Sequence, residues 1–227
     1  MKRPLIIWGI IAVVYGAFWA WYTPHGGPLN DEEIAEALAY VEGQRAERAP
    51  DTTDEEFEEG IAALRNFMEK DTGRDFVMVN AILMNETPIQ TGAVEPGETS
   101  QQVLDRYMAY MWPALLKRAS HPVFFGAAAG PSMEVLNIED AEDWTNTGLM
   151  RYRSRRDMIA IALNPEFADS HEYKLAAMAK TFAYPVDPYM QFGGPKMTLG
   201  LMLFSLGALL HLAFGRGGAK VAPESEA

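Results

Sequence analysis

Cysteine is absent from this chain of 227 residues, and histidine occurs at only four positions. Without thiols the chain can form neither disulfides nor thiolate metal sites, and it has no cysteine nucleophile. The histidines are His25, His121, His171 and His211, and none stands in an HExxH or His-x-His spacing. The chain also lacks GxSxG, Walker A and dinucleotide-binding motifs, so we expect neither a metal nor a cofactor.

Positive charge is scarce as well. The net charge is −12, and residues 23–196 carry 29 acidic against 15 basic side chains. Such a surface repels phosphates, so nucleic acid is an unsuitable partner. Residues 31–59 concentrate twelve acidic side chains against two arginines. This segment is either a docking face for a basic partner or a solvated face that keeps the protein soluble.

Two long apolar runs stand near the ends of the chain. Residues 5–22 and 197–214 each hold 18 residues without a charge; as helices they would span about 27 Å, close to the thickness of a bilayer core. Trp19, Trp21 and Tyr22 end the first run, as an interfacial aromatic belt would. A cleaved signal peptide is the alternative, but a cleavage site needs small residues there. We expect two transmembrane helices.

Basic residues set the expected orientation of these helices. Lys2 and Arg3 precede the first run, and Arg216 and Lys220 follow the second. Because cytoplasmic flanks are enriched in Lys and Arg, residues 1–4 and a disordered tail, 215–227, should both be cytoplasmic. Residues 23–196 then lie across the membrane, which is the periplasm if the membrane is a bacterial inner membrane.

The two runs contain features that could serve helix packing. Ala12, Gly16 and Ala20 form a stripe of small residues that would let another helix approach closely, although such residues are common in any membrane helix. His211 lies inside the second run. It could form an interhelical hydrogen bond, serve as a polar helix end, or ligate haem with a partner from another subunit.

Residues 23–74 predict an acidic helical hairpin. Asn30 should cap a first helix that ends before Pro50. Thr53 should cap a second, since Glu56 stands three residues later in the capping-box spacing. Apolar residues recur at helical intervals in both, so the two helices should pack on each other and on the following domain.

Residues 75–188 predict an α+β domain of the order strand, helix, strand, strand, helix, strand, which is ferredoxin-like. The expected strands are 75–85, 121–130, 148–154 and 182–185, with 133–138 as an extension or edge piece. The helices start at caps Thr99 and Ser154 and end near Arg118 and Thr181, the second interrupted at Asn164-Pro165. The first strand is apolar on both faces, which predicts a helix layer on one and a second copy of the chain on the other. Residues 189–196 are a linker.

A run of the central domain resembles a known superfamily. Met150-Arg-Tyr-Arg-Ser-Arg-Arg-Asp-Met158, then Asn164-Pro165-Glu166-Phe167 and the segment 171–181, are similar to the dimeric α+β barrel proteins, in particular to small domains of unknown function. The resemblance covers roughly half of the chain and implies a ferredoxin-like homodimer. The superfamily includes cofactor-free oxygenases, but none of their catalytic motifs can be matched to this sequence.

Two groups of residues are candidate sites. The first is a pocket between the first strand and the helices, which could hold a planar aromatic molecule. Alternatively, the same residues could form a packed core with Asn80 bonded to backbone. The candidate residues are Asn80, Arg106, Tyr107, Tyr110, Trp112 and His171. Four arginines at a strand–helix junction could bind a carboxylate or phosphate, or could pair with the acidic hairpin or with acids in 139–143; they are Arg151, Arg153, Arg155 and Arg156.

Two functions fit these expectations. The first is an accessory or interaction module of a membrane assembly, homodimeric and without catalytic activity. The second is a membrane-tethered, cofactor-free oxygenase or isomerase, or a binding protein, for a small lipophilic aromatic molecule such as a quinone. The sequence does not decide whether the chain is an enzyme.

Overall fold

The computed structural model describes residues 2–48, 52–137, 139, 143–191 and 193–215. It divides into two compact units, residues 24–188 and residues 1–23 with 189–227. Of the expected tail 215–227, everything from Arg216 onward, including Lys220, lies outside the described residues. The same holds for Pro50 and for Ile138, the last residue of the expected edge piece.

The described residues form eight helices and four strands. In chain order they are α1 (Lys2–Tyr22), α2 (Asp31–Gly43), α3 (Arg45–Arg48), α4 (Asp54–Glu69), β1 (Phe76–Met84), α5 (Ser100–Lys117), β2 (His121–Ala127), β3 (Asn146–Tyr152), α6 (Arg155–Ala162), α7 (Pro165–Ala177), β4 (Met178–Val186) and α8 (Pro195–Gly215). The short α3 was not expected. The unit 24–188 is therefore α+β, with the expected order of elements after residue 75.

Four helices begin at the residues that the sequence predicts. Asn30, Thr53 and Thr99 each accept a hydrogen bond from the backbone N–H three residues later, and the side chain of that later residue accepts one from the cap. Ser154 accepts from the N–H of Asp157 and caps α6. These bonds satisfy N–H groups that a helix leaves unpaired at its start.

The strands form one open antiparallel sheet in the order β2-β3-β1-β4. β1 is central and pairs with β3 along residues 76–82 and with β4 along residues 77–84. Three expected strands have other bounds: β1 spans Phe76–Met84 instead of 75–85, β2 ends at Ala127 instead of residue 130, and β3 spans Asn146–Tyr152 instead of 148–154. Residues 132–137 do not extend the sheet.

The last strand is much longer than expected. The sequence predicted helix to about Thr181 and a strand over 182–185, whereas α7 ends at Ala177 and residues 178–186 pair with β1. A four-residue strand would leave many backbone groups of β1 without partners, and unpaired backbone groups are costly in a folded protein. Pro185 is tolerated because β4 lies at the sheet edge, where one side of the strand needs no donor.

Helices cover one face of the sheet. The rings of Phe76 in β1 and Tyr152 in β3 stack at 5.3 Å, and they share a buried core with Val103 and Leu115 of α5 and with residues of α7. A second core joins α2 and α4. Phe67 of α4 contacts Phe76 at 5.4 Å, so the acidic hairpin packs on the sheet domain as expected.

In the other unit, α1 and α8 form an antiparallel pair. Lys196, at the start of α8, lies 4.3 Å from the ring of Trp19, near the end of α1. Toward the opposite ends, Trp8 Nε1 donates to His211 Nδ1 at 3.2 Å, an interhelical hydrogen bond of the kind named among the alternatives for His211. By length and composition, both helices could cross a membrane.

Candidate functional site

The junction between β3 and α6 concentrates the four arginines expected to bind an anion. The cap Ser154 fixes the backbone there, and its hydroxyl also donates to Asp157 at 2.7 Å. Arg153 forms a two-pronged ion pair with the same carboxylate, at 2.8 and 2.7 Å. Hydrogen bonding to Asp157 raises the pKa of Arg153. Arg153 thus stabilises the first turn of α6, two residues after it.

Arg156 binds the acidic hairpin. Its Nε and Nη2 donate to the two carboxylate oxygens of Glu33 at 2.7 and 2.9 Å. Its Nη groups also donate to the carbonyls of residues 25, 27 and 28, at 3.2 to 3.4 Å. The hydrogen bond from Arg156 lowers the pKa of Glu33 to about 2, and the bond from the Asn30 backbone adds to this shift. Glycine is favoured at Gly26, because L side chains rarely adopt its φ of 90°; a Cβ there would also lie 2.9 Å from Nη1 of Arg156.

Arg155 is buried on the other side of the same turn. It donates to the carbonyl of Lys70 at the end of α4, and its guanidinium lies 4.9 Å from the ring centre of Phe67. Asp71 and Asp187 stand 3.7 and 3.8 Å away. Arg155 therefore connects α6 to the end of the hairpin and to the end of β4.

Arg151 is the most deeply buried of the four, with a side chain only 1% exposed. Its Nε donates to Asp75, just before β1, at 2.8 Å, and Nη1 donates to the carbonyl of Ala119 at 2.7 Å. Each of the four arginines thus has a carboxylate of this chain as a partner. The anion-binding prediction stays a prediction, and an incoming anion would compete with these partners.

Asn80, the first residue of the expected pocket, lies in the middle of β1. Its Nδ2 donates to the backbone carbonyls of Met78 and Gly148, at 3.1 Å each. Both amide hydrogens of Asn80 are used inside the sheet.

The helical residues of the expected pocket divide into two groups. Tyr107 and His171 come together with Phe167, at ring distances of 5.1 to 6.4 Å. Burial raises the pKa of Tyr107. The Tyr110 hydroxyl donates to the Ile161 carbonyl at 3.1 Å. This cluster is a helix–helix contact between α5 and α7.

The other two residues face elsewhere. Arg106 pairs with Glu98 and lies over the ring of Tyr173 at 4.6 Å. Trp112 is exposed at the surface of α5. Of the six expected pocket residues, these contacts bring only Tyr107, Tyr110 and His171 into one cluster. The ligand pocket stays a prediction.

The face of the sheet opposite to α5 and α7 carries exposed aromatic side chains. Directly paired residues of an antiparallel sheet project to the same face, and the pairing places six apolar residues together on this one. They are Val79, Ala81, Phe124, Leu149, Phe182 and Tyr184, which we call the open-face patch. Phe124, Phe182 and Tyr184 are 52%, 59% and 43% exposed. At one end of this face Val77 and Arg151 are buried.

Sequence reasoning missed the aromatic part of the open-face patch. Phe182 and Tyr184 stand two residues apart, which is the spacing of one face of a strand. This spacing could have placed both rings on one face. The expected strand, 182–185, was too short to show which residues of β1 they would lie opposite.

A groove lies between α2 and α6. Its volume is about 260 Å³, and the residues that line it are Leu29, Glu33, Glu36, Ala37, Tyr40, Arg156, Ile159, Ala160 and Leu163. No sequence pattern pointed to it, because its two walls are more than a hundred residues apart in the chain. In the part of the chain that the structure describes, no three His, Asp or Glu side chains come together as metal ligands would.

The small-residue stripe of α1 does not face α8. A Cβ on Gly16 would have no atom within 4 Å, whereas one on Gly207 of α8 would meet Ile11 at 2.6 Å and Trp8 at 2.8 Å. The small residues at this contact therefore belong to α8. Ala12, Gly16 and Ala20 are exposed in the described chain, and their use by another helix stays a prediction.

No protein-family model matches the chain, and no curated protein matches it. A structure of a protein of unknown function from Rhodopseudomonas palustris is 17% identical, covers 62% of this chain and 97% of its own, and has a TM-score of 0.46. A structure of the methylated form of that protein is also 17% identical. It covers 63% of this chain and 96% of its own, and its TM-score is 0.48. A protein from Arabidopsis thaliana is 12% identical, covers 51% of this chain and 97% of its own, and has a TM-score of 0.32.

Proposed function

We propose that the chain is a two-span membrane protein whose domain, residues 24–188, is an interaction module of a membrane assembly. The open-face patch carries this proposal. A two-layer domain normally buries the apolar face of its sheet, and exposed apolar patches of this kind mark protein–protein contacts. We propose that a second copy of the chain covers the patch, so that the module is a homodimer.

The proposed fold is the ferredoxin-like one of the dimeric α+β barrel proteins. The strand order β2-β3-β1-β4 supports it, as do the helical connections after β1 and β3, since together they make the βαββαβ arrangement. In this proposal the open faces of two such sheets pack against each other, and β4 at the sheet edge lies at the border of the contact.

The proposed topology places both termini in the cytoplasm and residues 23–196 outside it, in the periplasm if the membrane is a bacterial inner membrane. The antiparallel pairing of α1 and α8 supports a hairpin of two spans. The proposed orientation in the membrane rests on the basic residues that precede the first apolar run and follow the second. They are Lys2, Arg3, Arg216 and Lys220.

The alternative function is that of a membrane-tethered, cofactor-free enzyme or binding protein for a lipophilic aromatic molecule. Its candidate residues include the cluster of Tyr107, Tyr110 and His171. The amide of Asn80 favours the interaction module over this alternative, because its hydrogens already bond to backbone carbonyls and leave only its carbonyl oxygen to read a ligand.

The test is native mass spectrometry of the full chain, extracted in mild detergent. We expect a dimer, and we expect Phe182→Glu and Phe124→Glu to give monomers because each would bury a carboxylate in the dimer contact. Leu175→Glu is the matched control: Leu175 is also 59% exposed but lies on α7, and this variant should stay dimeric. A wild-type monomer, or variants that dimerise like wild type, would contradict the homodimer. A stoichiometric small-molecule mass would favour the alternative.

A further inference from the structure

We propose that the groove between α2 and α6 binds one basic amphipathic helix of a partner protein. This inference rests on the proposed function as an interaction module, and it adds the class of partner and the place where it docks. The groove is separate from the open-face patch, because none of its lining residues belongs to the sheet.

The shape of the groove suits a helix. Along α2 the lining residues run from Glu33 to Tyr40, a length of about two helical turns, and Leu29 extends this wall just before the helix begins. The opposite wall, from Arg156 to Leu163, is α6 and the residue after it. Side chains of α2 and α6 thus line one furrow, and a furrow between helices is the kind of site that takes the side chains of an incoming helix.

The floor of the groove is apolar. Leu29, Ile159 and Leu163 contribute partly buried aliphatic groups that belong to the edge of the hairpin core. Ala37 and Ala160 are small, and their size gives the groove its depth. Such a floor would take apolar anchors spaced at i, i+3 or i+4, and i+7 along the incoming helix.

The rim of the groove is acidic, which sets the charge of the partner. α2 carries five acidic residues and no basic one. Glu36 is exposed and makes no ion pair within the described part of the chain. The positive charge of Arg156 is already matched by Glu33. An amphipathic helix with Lys or Arg beside its apolar anchors would therefore complement this rim, and the acidic segment 31–59 would speed its approach.

The two walls of the groove are tied to each other by contacts inside this chain. The ion pair between Arg156 and Glu33 joins its two walls, and the same guanidinium binds three carbonyls of residues 25–28. A preformed groove reduces the ordering cost of binding, which favours affinity.

The experiment uses the full chain in nanodiscs of zwitterionic lipid and a labelled synthetic helix as the probe. The probe has leucines at i, i+3, i+4 and i+7 and lysines elsewhere, and a second probe replaces each lysine by glutamate. Two variants alter the groove. Ala160→Phe fills it from an exposed position of α6, and Glu36→Lys reverses the charge of its rim. Ala63→Phe and Glu59→Lys make the same changes at exposed positions of α4.

We expect saturable binding of the lysine probe, weakened by salt, and no binding of the glutamate probe. Ala160→Phe and Glu36→Lys should each reduce the affinity about tenfold or more, because the first blocks the groove sterically and the second sets like charges of probe and rim against each other. The two α4 variants should bind like wild type. Equal losses in the Glu36→Lys and Glu59→Lys variants would overturn the proposal, since they would indicate attraction to the whole acidic face.

Other results would overturn it as well. Equal binding of both probes would mean that the groove selects apolar surface without regard to charge. A change of oligomeric state in Ala160→Phe without any probe would mean that a second copy occupies the groove.

The docking site and the homodimer can fail separately. If the wild type is a monomer and Ala160→Phe loses binding of the lysine probe, the homodimer is contradicted and the docking site is supported.

Discussion

Arg156 and Glu33, 123 residues apart in the chain, form a two-pronged ion pair with bonds of 2.7 and 2.9 Å. Each residue lies in the first turn of a helix. Glu33 is favourable there because the N-terminus of α2 is electropositive, whereas Arg156 opposes the dipole of α6. The carboxylate of Glu33 and three backbone carbonyls offset that cost. The pair therefore connects the acidic hairpin to the sheet domain at the start of both helices.

Arg156→Lys should weaken the attachment of the hairpin. A lysine keeps the charge but cannot make the two-pronged bond together with the carbonyl contacts, so we expect a loss of about 0.5–1 kcal/mol in the local opening free energy. Hydrogen exchange of residues 31–43 in the full chain measures this change. Arg65→Lys is the control, since Arg65 is exposed on α4. Equal protection of α2 in both variants would show that the bond does not hold the hairpin.

The pH dependence of stability should report the same pair. Arg156 lowers the pKa of Glu33 from 4.5 to about 2, so the folded protein favours the ionised carboxylate. The stabilisation is complete above the ordinary pKa of 4.5 and is lost as the pH falls through about 2. Both side chains are about one-third exposed. Screening by water therefore holds the contribution of the pair to about 1 kcal/mol or less.

Glu33→Gln isolates this contribution, because glutamine can still accept from the Asn30 backbone in the capping box. Urea unfolding followed by circular dichroism should show the wild type more stable than Glu33→Gln at neutral pH. The difference should shrink as the pH falls from 4.5 toward 2. A difference that does not change with pH would mean that Glu33 stabilises the protein by packing or hydrogen bonding alone.

The helix starts and the order of elements could be predicted because the signals are local. Asn30, Thr53, Thr99 and Ser154 lie within three residues of the N–H groups that they bind. The length of β4 could not be predicted in this way, since its partner β1 lies far earlier in the chain and decides how many backbone groups need pairing.

The candidate sites were harder to predict for the same reason. The spacing of the four arginines shows that they share one junction, but most of the acids that they bind come from distant segments. Those acids are Glu33, Asp71, Asp75 and Asp187. Only the Asp157 partner of Arg153 lies within about one helical turn. The groove and the open-face patch likewise arise from residues that only the tertiary fold brings together.

Removing Arg151 should destabilise the sheet domain most strongly. Arg151→Leu would leave the Ala119 carbonyl and the Asp75 carboxylate without the buried guanidinium that binds both. We expect a loss of about 3 kcal/mol in the free energy of unfolding. Larger losses occur when the partner left behind is fully buried, whereas Asp75 can still be hydrated. Chemical unfolding of the full chain measures it. Arg74→Leu, at an exposed position nearby, should cost less than about 0.5 kcal/mol, and similar losses in the two variants would contradict this assignment.

Asn80→Leu tests whether the amide serves the sheet or a ligand. The Met78 and Gly148 carbonyls would lose a donor. We therefore expect the free energy of unfolding to fall by about 1–2 kcal/mol. Dimer formation should be unchanged, since Asn80 projects away from the open-face patch. Asn66→Leu, at an exposed position of α4, is the control for composition. Unchanged stability together with loss of a co-purifying small molecule would favour the alternative function.

Gly207→Leu should separate α1 from α8. Any side chain at residue 207 would lie within 3 Å of Trp8 and Ile11, and small residues are what allow helices in a bilayer to approach closely. Because the chain has no cysteine, spin labels can be placed through cysteines at the exposed positions 13 and 209, and the distance between them should lengthen and broaden in this variant. Gly16→Leu is the matched control, since the space around Gly16 is open; its label distance should equal that of the parent. If Gly16→Leu instead disturbs the pair while Gly207→Leu does not, the small-residue stripe of α1 would be the true contact and the present pairing of the helices would be wrong.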